Sequence, residues 1–187
     1  MYKRQEYINI EAERGNKEEQ YQMLLFVQRY YGIKKLTAPQ LPKPLSRGDI
    51  IDLIAFSSEI SKEEIEIAKN AIEKQGFIAR TKYLKLEKNI FAYTATEKTR
   101  SDLLLAALND ADSKAIWAAR GGGGAINILP QLLASAAAEN CKFFIGFSDV
   151  SGIHIFLNRK WHWPTIHGVN ALCLSLIHIS EPTRQDR

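Results

Sequence analysis

Two cysteines in 187 residues, Cys141 and Cys173, are too few for a disulfide scaffold and lack the CxxC spacing of a metal knuckle. Free thiols in a reducing compartment are the expectation. Long apolar runs are missing too. Residues 103–108 and 115–119 are among the longest, against about 20 residues needed to cross a bilayer as a helix. No basic-then-apolar segment with a small-residue cleavage site opens the sequence, and no membrane partner is expected. There is no G-X-Y repeat and no sustained heptad, which excludes collagen-like and coiled-coil classes. Blocks of like charge are absent as well. Lysine and arginine are interspersed with acids, as in Lys62-Glu63-Glu64 and Lys85-Leu86-Glu87-Lys88, so the net charge of +4 reads as a mixed, solvated surface rather than a nucleic-acid footprint. No set of His, Cys, Asp and Glu has metal-ligand spacing, and neither a metal nor another cofactor is expected.

What is present is ordinary globular material, 45% apolar and 25% charged, arranged as alternating strands and helices from Gly48 onward. Residues 49–56 (DIIDLIAF) predict a buried strand ending at Ser57-Ser58. Ser61-Lys62-Glu63-Glu64 forms a capping box for a helix presenting Ile65, Ile67, Ala68, Ala71 and Ile72, with Gly76 at its C′ position. Residues 77–83 predict a second strand, and residues 84–95 a loop anchored by Phe91 and Tyr93. Thr96 or Ser101 caps the next helix, which runs to Asn109. Residues 114–119 (KAIWAA) predict a third strand. A glycine run and a helix with Pro130 in its first turns follow. Residues 142–146 (KFFIG) form a fourth strand, 149–158 its helix, and 163–167 a short fifth strand. Repeated βα units imply an α/β fold, a doubly wound, mainly parallel Rossmann-like or flavodoxin-like sheet with helices on both faces. Chemistry in such sheets sits at the carboxyl ends of the strands.

Three segments fall at those ends. Gly146-Phe147-Ser148-Asp149 has the strand-turn-helix setting of a nucleophile elbow, although Val150 stands where G-x-S-x-G has its second glycine. A helix N-terminus there would favour a developing oxyanion. The simpler reading is that Ser148 or Asp149 caps the helix. Arg120 and the glycines Gly121, Gly122, Gly123 and Gly124 admit a phosphate cradle, an oxyanion loop beside Ser148, or a flexible turn. GxGxxG fails at Ile126, and the Lys-Ser/Thr of a P-loop is lacking. His167 follows the fifth strand. His154 lies among Ile153 and Ile155 and reads as packing.

The order of these segments resembles the N-terminal domain of the LD-carboxypeptidase family, serine peptidases that include the microcin-immunity peptidases. Pro44-Leu45-Ser46-Arg47-Gly48-Asp49 with the strand to Ser58 resembles the family's opening turn, first strand and "aPSS" turn. Residues 94–103 (TATEKTRSDL) resemble "aGtdeeRaaDL", and residues 115–124 (AIWAARGGGG) resemble "aIwcaRGGyG". Residues 144–151 (FIGFSDVS) resemble "fiGySDita", and Thr165-Ile166-His167-Gly168 resembles "tfHGp". Gly123 departs from the pattern by replacing the aromatic, and Val169 by replacing a proline.

This resemblance implies that Ser148 is the acylating nucleophile. It implies an oxyanion hole from the Asp149 amide and the amide of Gly121 or Gly122, with Arg120 and His167 as substrate-binding residues. The implied reaction is hydrolysis of the amide bond between the L-centre of a diamino acid and a terminal D-alanine in murein tetrapeptides, for cell-wall recycling in the cytoplasm. The parent protein is expected to be a homodimer. The immunity branch cleaves a peptidyl-nucleotide toxin instead. The family's Ser-His-Glu arrangement draws its Glu and His from a C-terminal domain, so His167 is not its base and this chain by itself is expected to be inactive. The alternative of another class is a nucleotide- or ligand-binding module that uses the glycine run for phosphate.

The ends read differently. Residues 174–184 (LSLIHISEPTR) resemble the translated transposase adapter of DNA sequencing libraries, and residues 1–5 (MYKRQ) its other strand. The expected organisation is therefore adapter-derived residues 1–5, an N-terminal extension over 6–40, a truncated nucleophile domain over 41–173, and an adapter-derived tail over 174–187. Within the extension, residues 16–31 predict a helix and Pro39, Pro42 and Pro44 a linker, with Met23 an alternative start.

Overall fold

The computed structural model describes residues 41–87 and 92–177. The helix expected over 16–31, Pro39, the anchor Phe91, the first five residues and residues 178–187 lie outside the described residues.

The runs IIDLI, IAR, AIWA and FFIG become β1 (Ile50–Ile54), β2 (Ile78–Arg80), β3 (Ala115–Ala118) and β4 (Phe143–Gly146), joined by β5 (Ile166–His167). They form one sheet in the order β2-β1-β3-β4-β5 with every neighbouring pair parallel. This is the doubly wound α/β architecture that the alternation implied.

Because β1, β3 and β4 are apolar on both faces, both must be covered. One face packs Ile54, Ile116 and Phe144 against Leu104 and Leu108 of α2 (Glu97–Asn109), Ile128 and Leu132 of α3 (Ala125–Leu133), and Ile153 of α4 (Ser151–Phe156). The other packs Ile51, Leu53 and Ala115 against Ile65, Ala68 and Ile72 of α1 (Lys62–Glu73) and Ala171 of α5 (Ala171–Ile177). The α5 helix runs across the boundary between residues 173 and 174.

The capping box at Ser61 forms as read, with both reciprocal bonds present, and Thr96 rather than Ser101 caps α2. The fifth strand is shorter than expected, Ile166–His167 only, and further details differ as well. Ile67 is 45% exposed, lying off the buried stripe of Ile65, Ala68, Ala71 and Ile72. Helix α1 ends with Lys74 as C-cap, so Gly76 takes its positive φ of 90° one position beyond C′. Strand β2 has three residues instead of seven, because as an edge strand it pairs only with β1 and the chain then turns at Tyr83. Pro130 is the sixth residue of α3, an interior position, where it leaves the carbonyl of the exposed Ile126 without a helical donor.

Charge is concentrated at the amino ends of β3 and β4, opposite the carboxyl ends. Arg80 meets the fully buried Asp52 with Nε–Oδ1 at 2.7 Å, and its Nη2 lies 3.0 Å from Asp110 Oδ2. The Tyr83 hydroxyl and Lys82 also donate to Asp110. Lys142, 2% exposed, donates to the Ala107 and Asp110 carbonyls and to Ser113 Oγ. Its burial pulls the ammonium pKa down to about 8. Burial alone would raise the Asp110 pKa, but the bonds from Tyr83, Arg80, the Asp112 amide and Lys82 outweigh it and hold the carboxyl well below its usual range. A depressed folded-state value means that this stabilisation is complete above the unfolded pKa of about 4 and is lost as pH falls below it. Asp110→Asn should therefore cost about 2–3 kcal/mol at neutral pH. It should also flatten the decline of stability below about pH 4, which urea titrations at neutral and acid pH will read directly.

Candidate active site

The sheet ends in a sharp turn at β4. Phe147 is extended at φ −150°, Ser148 then takes φ 69°, and a 3-10 turn over Ser148–Val150 leads into α4. A serine in the left-handed region is strained, and such strain persists only where its surroundings enforce it. Here Asn170 Oδ1 accepts from the Phe147 amide at 3.1 Å. The Gly146 carbonyl accepts from the Gly168 amide at 3.1 Å and from His154 Nε2 at 2.8 Å. Gly146 has to be glycine, since a Cβ would lie 2.8 Å from Val150 Cγ1. The result is an exposed Ser148 hydroxyl, to which no described side chain hydrogen-bonds.

The glycine loop after β3 closes against this turn. A Cβ on Gly121 would stand 3.1 Å from Ser148 Cβ and 3.3 Å from its Oγ, so a side chain there would have to push the serine away by a few tenths of an ångström. The Gly123 amide donates to Ser58 Oγ at 3.0 Å. The Ala125 amide donates to Asp149 Oδ2 at 2.8 Å. Among the described residues, the Gly121 and Gly122 amides have no partner. The Asp149 amide opens a 3-10 turn, whose first N–H groups have no acceptor within the helix. Free donors from two segments thus border Ser148, which is what a developing oxyanion requires.

Asp149 does not cap the helix that follows it. Its carboxylate crosses to the N-terminus of α3, where Gly124 at the N-cap has no side chain and no acid occupies the first turn. Asp149→Ala should cost about 1 kcal/mol of unfolding free energy, the value of a lost cap. It should also accelerate hydrogen exchange at Ala125, measured on the same protein, while Asp149→Asn should recover most of the loss.

The structure brings Ser148, Asp149, Gly121 and Gly122 together, but not Arg120. The Arg120 guanidinium donates to the Glu59 carbonyl at 2.9 Å and lies 3.5 Å from Glu64 Oε1 at the start of α1. His167 flanks the turn without touching Ser148: its Nε2 is 3.4 Å from Ser151 Oγ, and its ring meets Phe147 edge-on. His154 is buried and packs edge-on to Phe144. Burial lowers its pKa, and the bond to Gly146 O partly opposes this, so the neutral ring donates through Nε2.

Two contributors carry roles that sequence reasoning did not assign. Asn170 had no local signal. Arg100 had one, since it stands four and eight residues before Leu104 and Leu108 on the buried stripe of α2. Among the described residues, no group of three or more His, Cys, Asp or Glu could hold a metal ion, and no helix is long and apolar enough to cross a membrane. Both cysteines are free, and burial pushes the Cys141 thiol up to about 11.

The chain is similar to known proteins in sequence and fold. The LD-carboxypeptidase N-terminal domain family matches the chain over residues 51–168. A Rickettsia conorii protein named as a carboxypeptidase is 41% identical over 76 residues, which is 41% of this chain and 24% of that protein. A Bacillus subtilis protein named as a murein peptide carboxypeptidase is 30% identical over 131 residues, 68% of this chain and 40% of that protein. A crystal structure of an MccF-like protein from Bacillus anthracis superposes with a TM-score of 0.61 at 26% identity, covering 72% of this chain and 42% of that one. A microcin self-immunity protein in complex with adenosine monophosphate shares the fold, with a TM-score of 0.54 at 21% identity over 66% of this chain and 38% of that one. The chain therefore spans about a quarter to two fifths of the length of these relatives.

Proposed function

The chain belongs to the LD-carboxypeptidase family through its N-terminal domain, and from that premise we propose that it is the nucleophile domain of a serine hydrolase acting on murein peptides. The observation that carries this reading is the strained Ser148, at φ 69°, set against the glycine backbone of Gly121 with unpaired amides on either side. Attack by Ser148 Oγ on a peptide carbonyl would place negative charge on the carbonyl oxygen. The Asp149 amide and the amide of Gly121 or Gly122 would receive it, and the acyl-enzyme would form as the amine leaves.

A serine hydroxyl is a poor nucleophile until a base takes its proton. His167 is engaged with Ser151, and no described residue holds the Ser148 proton. The family resemblance puts the base in a further domain, and on that reading this chain alone should not turn over. The substrate reading is a tetrapeptide ending in D-alanine, cut between the L-centre of its diamino acid and that D-alanine. It is supported by the 30% identity to the Bacillus subtilis protein. The likeness to the Bacillus anthracis structure favours a second reading, cleavage of a peptidyl-nucleotide.

The deciding experiment offers both substrates to the complete gene product and maps a fluorophosphonate label by mass spectrometry. Release of D-alanine with the label on Ser148 is the expected result. Cleavage of the peptidyl-nucleotide alone would establish the second reading, and a label on any other residue would overturn both. Turnover by the isolated chain would overturn the external base.

A further inference from the structure

Arg100 is a buried cation with no carboxylate in contact among the described residues. It is 1% exposed, and burial lowers its pKa. Placing a guanidinium there is costly unless its donors are used, and Nε and Nη1 are used while Nη2 has no hydrogen-bond partner among the described residues. Its Nε donates to the Ala95 carbonyl at 3.1 Å, and its Nη1 donates both to Phe56 O at 2.6 Å and to Gly124 O at 2.9 Å. The guanidinium carbon lies 4.6 Å from the centre of the Tyr93 ring. One nitrogen thus joins the segment leaving β1 to the end of the glycine loop leaving β3. The bonds converge from three chain segments, a task for a rigid fork that a single ammonium nitrogen cannot reproduce.

The partner at Gly124 is the informative one. The Gly124 carbonyl and the Ala125 amide belong to the same peptide unit. Arg100 grips that unit by its oxygen, and Asp149, the residue after Ser148, grips it by its nitrogen. A Cβ on Gly124 would lie 2.7 Å from Tyr93 Cε1 and 2.9 Å from Arg100 Nη1, so the loop rests directly on this platform. A peptide plane held at both ends cannot rotate. The free amides of Gly121 and Gly122 stand a few residues upstream of it in the same loop.

We propose that Arg100 is a positioning residue for the oxyanion loop, setting the orientation of the peptide unit between Gly124 and Ala125 and, through it, of the glycine amides that face Ser148. The inference rests on the reading of this loop as an oxyanion hole. Its test does not require turnover.

The full chain labelled with 15N-glycine gives at most eleven glycine amide signals. Gly123→Ala, at a position with open space around it, helps to assign the loop. In Arg100→Lys and Arg100→Met, the signals of Gly121, Gly122, Gly123 and Gly124 should shift, and their exchange with solvent should accelerate about tenfold or more. Gly48 and Gly76, which sit together at the other end of the sheet, should stay unchanged. Asp149→Ala should displace the same loop signals. If Arg100→Met does not fold, Arg100→Lys decides. Unchanged loop signals in either folded variant would overturn the proposal. So would unfolding of both, because Arg100 would then be an element of the core rather than of the loop. Failure of the fluorophosphonate to label Ser148 in the complete gene product would instead strike the hydrolase reading and leave the glycine result standing.

Discussion

Replacing Ser148 with alanine will abolish D-alanine release by the complete gene product, with kcat falling about a millionfold. The loss is this large because nucleophile, base and oxyanion donors act as a unit, and what remains after the hydroxyl is removed is only the weak catalysis of the binding groups. The turn itself should survive. Its backbone is held by Asn170, Gly168 and His154, none of which contacts the hydroxyl. Ser148→Gly is the informative companion. Glycine takes φ 69° without the steric penalty that alanine and serine share, a relief of about 1–2 kcal/mol set against glycine's greater chain entropy in the unfolded state. The glycine variant should be no less stable than the parent and equally inactive. Urea titrations beside the D-alanine assay will show both, and a variant that lost stability in step with activity would contradict the assignment of strain to Ser148.

Gly122→Ala is expected to have the second largest effect. Gly122 has φ 114°, and an added Cβ would lie 2.1 Å from Ser58 Oγ and 2.6 Å from Ser58 Cβ. The second distance matters more, because Ser58 Cβ is fixed to its backbone and cannot rotate away. The loop has to move, which pulls the Gly123 amide off Ser58 Oγ and carries the free amides out of register with Ser148. The predicted result is a fall in kcat of about a hundred- to a thousandfold, as for loss of one oxyanion donor. Backbone strain should add about 1–2 kcal/mol of destabilisation. Gly123→Ala is the control, since nothing stands within 4 Å of its Cβ and its φ is not in the left-handed region. It should change kcat and stability little. Equal damage from the two substitutions would mean that the loop responds to any added methyl and that the specific geometry at Gly122 is not what counts.

The parts of this molecule that were legible in the sequence are those set by local pattern. Apolar runs of four or five residues became the parallel strands, and the Ser61 box capped its helix because all of its partners lie within one turn. The positions of Ser148 and the glycines at strand ends were legible for the same reason. What stayed hidden depends on partners far along the chain. Asp149 sits where a cap for its own helix would sit, yet its acceptor role is taken up 24 residues away at Ala125. Arg120 adjoins the glycines in sequence, but its side chain reaches Glu59 and Glu64. Arg100 was visible as a charge on an apolar stripe and as the arginine of the motif over 94–103, but two of the carbonyls it bonds are separated from it by 44 and 24 residues. Periodicity reports which face is buried, not which carbonyls await there.

Gly123 has a wider consequence. Gly122 and Gly124 lie against Ser58, Tyr93 and Arg100 at distances that exclude a side chain, and Gly121 lies tightly against Ser148, whereas Gly123 opens onto free space. The family pattern it resembles carries an aromatic there. A side chain at this position would therefore meet no steric obstacle from the peptide planes around it. Bulk can thus be added to this loop at one position without moving the backbone that Ser58, Asp149 and Arg100 hold.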